Sequence, residues 1–295
     1  MNELPLLVFT LLMQLSVGSF VFYEVQFWHY GHEREAHSQA NIPLYFHGML
    51  LGLSGIAMLA SLLHLGVPLR AYCSLFNLGS SWLSREIAVA GLFFGVLAIH
   101  VILQFQRKKT IFLRRITAVF TSLAGIGLIF TMISIYMLPL VPAWNNVATP
   151  VSFYASAVIL GGLFTAAFLS RRLAGPLRET SGVYPDIDKT GPKIIRIVTI
   201  ALVIQLTSQI GRYLLLRGGN GAARSAVNTV VNNYPVFLLS WAVSGLLLFA
   251  LLIATRFYQA GTRRKQVQFL SVLFASALIF EMFNRLLFYI AHCQS

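Results

Sequence analysis

A histidine and a glutamate flank the second connection of this chain, with His64 ending one apolar segment and Glu86 lying just inside the next. A carboxyl group is costly to place in a bilayer, so a functional role is its default interpretation. A carboxylate can abstract the proton of a hydroxyl, and a histidine can hold the same ligand or relay its proton. The structural alternative is that each side chain caps its own helix.

The sixth apolar segment carries a second set of polar residues at helical spacing. Their i, i+3, i+4, i+7 pattern places them on one helical face: Gln205, Ser208, Gln209 and Arg212. Polar groups within a membrane should face the interior of the helix bundle. The stripe is therefore either a structural hydrogen-bond network, which we favour, or the wall of a polar cavity.

Redox cofactors need ligands that this sequence supplies sparingly. Axial haem ligands would have to come from His47 and His100, which could meet near the inner side, since His64 lies too near the outer end. Two cysteines, Cys73 and Cys293, are too few for an iron–sulfur cluster, and they either form a disulfide or stay unpaired. We therefore expect neither haem nor an iron–sulfur cluster in this protein.

The other charged residues within or beside apolar segments have structural interpretations. Glu281 and Arg285 are four residues apart and are expected either to neutralise each other or to pair with neighbouring spans. Glu24 has no local partner. A histidine- and glutamate-rich stretch follows the first segment: His29, His32, Glu33, Glu35 and His37. Its spacing matches no familiar zinc or iron pattern, so we expect no metal site.

Membrane spans are the elements that must position these residues. Of the 295 residues, 57% are hydrophobic and only 11% are charged. Eight apolar segments have lengths near that needed to cross the hydrocarbon core: 5–27, 43–63, 83–105, 116–138, 151–170, 194–216, 235–257 and 267–290. Such spans must be helices. The sequence predicts an all-α integral membrane protein, with residues 1–295 forming a single polytopic domain.

Small residues and the first span refine this prediction. Glycines such as Gly48, Gly52, Gly125, Gly161 and Gly162 suit close contact between helices. The first segment has no basic residue before it, so we interpret it as a retained span and not as a signal peptide.

The basic residues predict how the spans cross the membrane. The connections after spans two and six hold Arg70, Arg217 and Arg224. Most other lysines and arginines follow spans one, three, five and seven: Arg34, Arg107, Lys108, Lys109, Arg114, Arg115, Arg171, Arg172, Arg178, Lys189, Lys193, Arg256, Arg263, Arg264 and Lys265. The positive-inside rule then places both termini, and the connection between His64 and Glu86, on the outer (periplasmic) face. The net charge of +13 reflects this topology and not nucleic-acid binding.

Several dispersed motifs occur in order along the chain. The most specific is Leu63-His64-Leu65-Gly66-x-Pro68-x-Arg70-Ala71, followed by Asn77 and Leu83-Ser84-x-Glu86-Ile87. Val141-Pro142-x-Trp144 with Thr149-Pro150, and Glu281-x-x-x-Arg285-x-x-Phe288-Tyr289, lie further along. Together they make the sequence resemble the membrane anchor subunit of DMSO reductase-type molybdoenzymes over essentially its whole length.

The resemblance implies an eight-helix anchor of the bacterial inner membrane that carries no haem. Such an anchor binds and oxidises menaquinol and passes the electrons to a four-cluster iron–sulfur subunit, which serves a catalytic subunit with a molybdenum–pterin cofactor. It would oxidise quinol as part of that complex and would not be an enzyme alone. The terminal electron acceptor would be chosen in the partner subunit.

The resemblance also implies that His64 and Glu86 bind and oxidise the quinol. We add further candidates for the quinol pocket: Arg70, Ser84, Arg85, Gln209 and Arg212. Arg85 departs from the family pattern, in which a smaller polar residue often precedes the glutamate. A proton- or solute-conducting transporter and a passive anchor without a quinol site are the alternative interpretations.

Overall fold

The computed structural model describes residues 4–29, 42–64, 76–106, 111–173, 187–219, 221–232, 234–260 and 262–290. Apart from short turns and caps, these residues are helical. The helices of the described residues are α1 (Leu4–His29), α2 (Ile42–His64), α3 (Trp82–Phe105), α4 (Ile111–Tyr136), α5 (Ala148–Leu173), α6 (Ile187–Gly218), α7 (Gly221–Asn232), α8 (Tyr234–Ala260) and α9 (Arg263–Ile290).

Eight of these helices are long and apolar enough to cross a membrane, and α7 is not among them. The predicted all-helical membrane fold with eight spans is therefore confirmed. The ends differ most for the fourth and sixth spans, which run over Phe112–Tyr136 and Thr190–Gly218 and not over 116–138 and 194–216. As a result Arg114 and Arg115, which we predicted in a connection, lie inside α4.

Helices α1 and α5 form the centre of the bundle. The α2, α3 and α4 helices pack on one side of this pair, and α6, α8 and α9 pack on the other. A Cβ atom added to Gly18 of α1 or to Gly161 of α5 would overlap the backbone of the opposite helix. The two backbones touch, which only glycine at both positions allows.

The predicted close packing at glycines is found at some positions and not at others. Added Cβ atoms at Gly125 and Gly162 would press on side chains of Val17 and Val198, so close packing is confirmed there. At Gly48 and Gly52 an added Cβ would meet no atom within 4 Å. The expectation of close packing was wrong for these two α2 residues, because among the described residues no other helix comes within 4 Å of the added Cβ atoms.

The short helix α7 lies where the sequence predicted only a connection. Its twelve residues are too few to span a bilayer, and Arg224, Ser225 and Asn228 lower its hydropathy. Ala223 and Val227, four residues apart, are buried on one face. This face packs on the described ends of the neighbouring helices and closes one side of a cavity.

Candidate functional site

A capped turn fixes the start of α3, the helix that carries Glu86. The backbone N–H groups of Ser80 and Ser81 both donate to the Asn77 carbonyl, at 3.2 and 3.0 Å. The Ser81 side chain then accepts the N–H of Ser84 at 3.3 Å, which is the N-cap arrangement. Because Ser81 caps the helix, Glu86 is not needed for that task.

The carboxyl group of Glu86 is buried and has no partner within the described part of the chain. Only 6% of this residue is exposed, and its carboxyl makes no hydrogen bond with any described residue. The phenols of Tyr136 and Tyr289 lie in the same region of the bundle, within electrostatic range of this carboxyl. Ser84, the other candidate in this turn, is also buried. A buried carboxyl without a hydrogen bond is costly unless a ligand or a proton satisfies it.

Arg85 faces the preceding turn and not its neighbour Glu86. Its Nε donates to the Leu78 carbonyl at 2.7 Å and its Nη2 donates to the Gly79 carbonyl at 2.8 Å. Its guanidinium also lies 4.3 Å from the centroid of the Trp82 ring. Arg85 therefore connects the capped turn to the first turn of α3.

Two of the predicted site residues cannot be placed relative to Glu86. Helix α2 ends at His64, whose side chain lies outside the described residues. Arg70, Cys73 and Cys293 lie outside them altogether, so the proposed pairing of the two cysteines stays a prediction. The histidine- and glutamate-rich stretch after α1 has no described side chain either.

The dispersed motifs of the sequence meet beside Glu86. Trp144 donates from its indole nitrogen to the Phe288 carbonyl at 2.8 Å and stacks on the Phe288 ring. The Tyr136 hydroxyl donates to that of Tyr289 at 3.3 Å, and the Tyr289 hydroxyl lies 3.1 Å from that of Thr10. The uncharged turn after α4 is thereby fixed to the last turns of α9.

Glu281 and Arg285 do not form a direct pair, and the alternative expectation, that each bonds with neighbouring spans, is confirmed. The Glu281 carboxylate accepts from Ser156 of α5 at 2.7 Å and from Gln205 of α6 at 3.0 Å. Arg285 donates to Gln14 of α1 at 3.2 Å, and its guanidinium lies 3.8 Å from the Phe153 ring centroid. Both charges instead connect α9 to the central helices.

The polar stripe of α6 divides into a structural half and a cavity-lining half. Gln205 belongs to the Glu281 network, as the favoured interpretation required. Gln209 donates to Asn284 at 2.8 Å and lines a cavity together with Arg212. The cavity lies among α6, α7, α8 and α9, with aromatic walls from Tyr213, Phe237 and Trp241. Within the described residues Arg212 has no hydrogen-bond or ion-pair partner.

Glu86 does not line this cavity, although α9 contributes to both places. Asn284 and Leu287 of α9 face the cavity, while Tyr289 faces Thr10 of α1 and Tyr136 of α4, on the side of the bundle where Glu86 lies. The candidates predicted as one quinol pocket are thus distributed on two sides of α9.

His47 and His100 meet at the opposite end of α2 and α3, as the sequence suggested, and Glu24 joins them, which the sequence did not predict. The Nε2 atoms of His47 and His100 lie 3.1 and 3.6 Å from the same carboxylate oxygen of Glu24. The two imidazole rings are in edge-to-face contact with centroids 4.7 Å apart, which leaves no space for a porphyrin between them. Glu24, which had no local partner in the sequence, finds its partners on two neighbouring helices.

Comparison with known proteins agrees with this arrangement. Residues 1–290 match the family described as the DMSO reductase anchor subunit (DmsC). The sequence is 35% identical over 161 residues to the C subunit of anaerobic dimethyl sulfoxide reductase from Haemophilus influenzae, covering 55% of this protein and 56% of that one. It is 31% identical over 170 residues to the YnfH subunit of anaerobic dimethyl sulfoxide reductase from Escherichia coli K12, covering 57% and 58%.

Those two matches span little more than half the length of the relatives. A third relative is covered almost completely: the C subunit of anaerobic dimethyl sulfoxide reductase from Escherichia coli K12 is 29% identical over 296 residues, which are 99% of this protein and 95% of that one. With eight helices able to cross a membrane and a family match over residues 1–290, this multi-pass membrane protein belongs to the DMSO reductase anchor subunit (DmsC) family.

Proposed function

We propose that this protein anchors a DMSO reductase-type complex in the bacterial inner membrane and oxidises menaquinol there. The electrons would pass to an iron–sulfur partner subunit and then to a catalytic subunit that holds a molybdenum–pterin cofactor. Membership of the anchor-subunit family supports this assignment over a proton- or solute-conducting transporter. The observation that carries the quinol site is the buried carboxyl of Glu86, which has no hydrogen-bond partner among the described residues.

We further propose that both termini and the α2–α3 connection lie on the outer (periplasmic) face. The positive-inside rule supports this orientation, because Arg114 and Arg115 begin α4 and Arg171 and Arg172 end α5. Glu86 lies at the other end of the bundle, near the outer surface. An iron–sulfur partner on that face would be close to the quinol.

The proposed chemistry begins with the quinol ring near the outer ends of α2 and α3. Menaquinol loses two electrons and two protons as it becomes menaquinone. Glu86 accepts a hydroxyl proton, and His64 holds the quinol or relays a proton. Protons are released and electrons are consumed on the same side, so the reaction moves no net charge across the membrane.

The direction of Arg85 leaves the Glu86 carboxylate available to a ligand. The guanidinium is held by the carbonyls of Leu78 and Gly79, and within the described residues no side chain competes for the Glu86 oxygens. A quinol hydroxyl that donates to this carboxylate would satisfy a buried acceptor and begin proton transfer in the same contact.

Gln209 and Arg212 remain candidates for the quinol pocket on the other side of α9. Their cavity combines aromatic walls with an amide and a guanidinium that can donate to a quinone oxygen. We propose that this cavity contributes to quinol binding, whereas proton abstraction occurs at Glu86. Ser84, Arg85 and Arg70 would shape or position the site around Glu86.

The test compares two electron donors in the assembled complex. Glu86→Gln keeps the side-chain volume but removes the base, so quinol-driven reduction should fall about a hundredfold or more. Reduction driven by a reduced viologen dye, which delivers electrons directly to the partner subunits, should be unchanged. Glu281→Gln is the matched control, because it alters another buried carboxyl of the bundle that lies in the α5–α6–α9 network.

The second variant tests the residue whose side chain is not described. His64→Ala should also slow quinol-driven reduction and weaken quenching of a fluorescent quinol-site inhibitor. If Glu86→Gln and His64→Ala both leave the quinol-driven rate at the wild-type value, the protein is a passive anchor. Co-purification of iron–sulfur and molybdenum subunits tests the proposed partners in the same preparation.

A further inference from the structure

Glu24, His47 and His100 form a convergent set of ligand atoms that takes no part in the proposed quinol chemistry. Each comes from a different helix, α1, α2 and α3, and one ligand atom from each lies within 4.8 Å of the others. His47 and His100 are 0% and 1% exposed, while 19% of the Glu24 side chain is exposed. The set lies at the end of α2 and α3 remote from Glu86.

The hydrogen bonds of His100 determine which of its ring nitrogens carries the lone pair and which carries the proton. Arg114 donates to the Gln104 carbonyl oxygen at 2.9 Å, so the amide nitrogen of Gln104 faces His100 Nε2 at 3.1 Å and donates to it. The Thr117 hydroxyl donates to the carbonyls of Leu113 and Arg114 and therefore accepts from His100 Nδ1 at 2.9 Å. His100 is thus a neutral imidazole whose Nε2 is an acceptor.

His47 completes the set with an unused nitrogen. Neither of its ring nitrogens makes a hydrogen bond, although Nε2 lies 3.1 Å from a Glu24 oxygen. Its other neighbours are aromatic: the rings of Phe20, Tyr23 and Phe46 surround it with centroids 5.2, 4.9 and 5.8 Å away. A carboxylate and two imidazole nitrogens therefore converge in a largely buried site, an arrangement that a cation between them or a proton shared between Glu24 and His47 would satisfy.

We propose that Glu24, His47 and His100 bind a divalent transition-metal cation, with Zn²⁺ as the best match. Two imidazoles and one carboxylate suit such cations better than Ca²⁺ or Mg²⁺. A tetrahedral zinc ion with bonds of about 2.0–2.1 Å separates its ligand atoms by about 3.3 Å. The observed separations of 3.1 and 3.6 Å from Glu24 to the two histidines bracket that value.

The residues around His100 include one contact that favours metal binding and two side chains that disfavour it. The Nδ1 contact with Thr117 is the outer-shell hydrogen bond that orients a metal-binding histidine. Gln104, however, must release the Nε2 lone pair when the cation binds, and the charge of Arg114 opposes a second positive charge nearby. Replacing Arg114 by glutamine should therefore tighten metal binding.

The bound cation would tie α1, α2 and α3 together at the end opposite the quinol site. The test uses the assembled complex, purified in chelator-treated buffers and supplied with Zn²⁺ alone. We expect about one zinc per anchor subunit in the wild type and in Glu281→Gln, and less than about a tenth of that in Glu24→Gln and His47→Gln. The same preparation loaded with Co²⁺ should show the visible absorption bands of a tetrahedral site.

Two results would overturn the proposal. One is a folded wild-type complex that retains no zinc and gives no Co²⁺ spectrum, in which case the three side chains share a proton. The other is zinc retained equally by Glu24→Gln and His47→Gln. If His47→Gln does not fold, Glu24→Gln and the wild-type Co²⁺ spectrum decide. Quinol oxidation is assayed separately, so failure of one proposal leaves the other untouched.

Discussion

Arg85 and Glu86 are adjacent in the sequence but belong to different environments. The Arg85 guanidinium binds the carbonyls of Leu78 and Gly79 and lies over the Trp82 ring, whereas the Glu86 carboxyl is buried within the bundle. Successive residues of a helix project about 100° apart, so they face different neighbours. The departure of Arg85 from the family pattern therefore concerns the turn before α3.

Replacing Arg85 should affect quinol oxidation through position and not through charge. Arg85→Ala removes two hydrogen bonds to the turn and should lower the quinol-driven rate severalfold, well short of the loss in Glu86→Gln. Arg85→Lys keeps the charge but cannot make the same paired contact, so it should resemble Arg85→Ala. A loss in Arg85→Ala as large as that in Glu86→Gln would contradict this positioning role.

Variants of Arg212 and Glu86 should change different steady-state kinetic parameters. Arg212→Gln removes a guanidinium that lines the cavity with Gln209, so we expect KM for quinol to rise while kcat stays near the wild-type value. Glu86→Gln should instead lower kcat. If Arg212→Gln leaves KM unchanged, the cavity takes no part in quinol binding and the pocket is confined to the Glu86 side.

The backbone contact between α1 and α5 should tolerate no added methyl group. Gly161→Ala forces the two helices apart, and overpacking of this kind costs about 1–3 kcal/mol. Gly52→Ala is the control, because an added Cβ there meets no atom within 4 Å. The midpoint of thermal unfolding in detergent should fall for Gly161→Ala and stay the same or rise slightly for Gly52→Ala. Equal midpoints would contradict the contact.

The buried charges of α9 should be coupled although they do not touch. Arg285→Met leaves the Glu281 carboxylate without its nearest positive charge, and the loss of one member of a buried charge pair costs about 3–5 kcal/mol. The double variant Glu281→Gln with Arg285→Met should recover part of that loss. Thermal unfolding of the wild type, the two single variants and the double variant gives the coupling energy between the two side chains. Strictly additive effects would show that the charges act independently.

The eight spans could be predicted because their length and composition are local properties of the sequence. The start of α4 could not be predicted in this way, because Arg114 and Arg115 lower the local hydropathy. In the structure Arg114 lies inside the helix and donates a hydrogen bond to Gln104. Likewise α7 is too short and polar for a span, and its role becomes visible only through the cavity that Val227 lines.

The candidate residues were predictable one by one, whereas their grouping was predictable only in part, because the meeting of His47 and His100 was expected but the addition of Glu24 was not. Glu24, His47 and His100 are separated by long stretches of sequence, so no spacing motif connects them. Their common depth in three successive spans was the available signal. Helix spacing correctly placed Gln209 and Arg212 on one face, but only the structure shows that they line a cavity to which Glu86 does not contribute.

The contact between Gly18 and Gly161 also determines how a lipid-like molecule can travel through this protein. Where two helix backbones touch, neither an isoprenoid tail nor a file of water molecules can pass between them. The central pair α1–α5 is therefore closed at the depth of these two glycines. A quinol that contacts both Glu86 and the Arg212 cavity must span the bundle at another depth, nearer the end where Tyr289 of α9 meets α1 and α4.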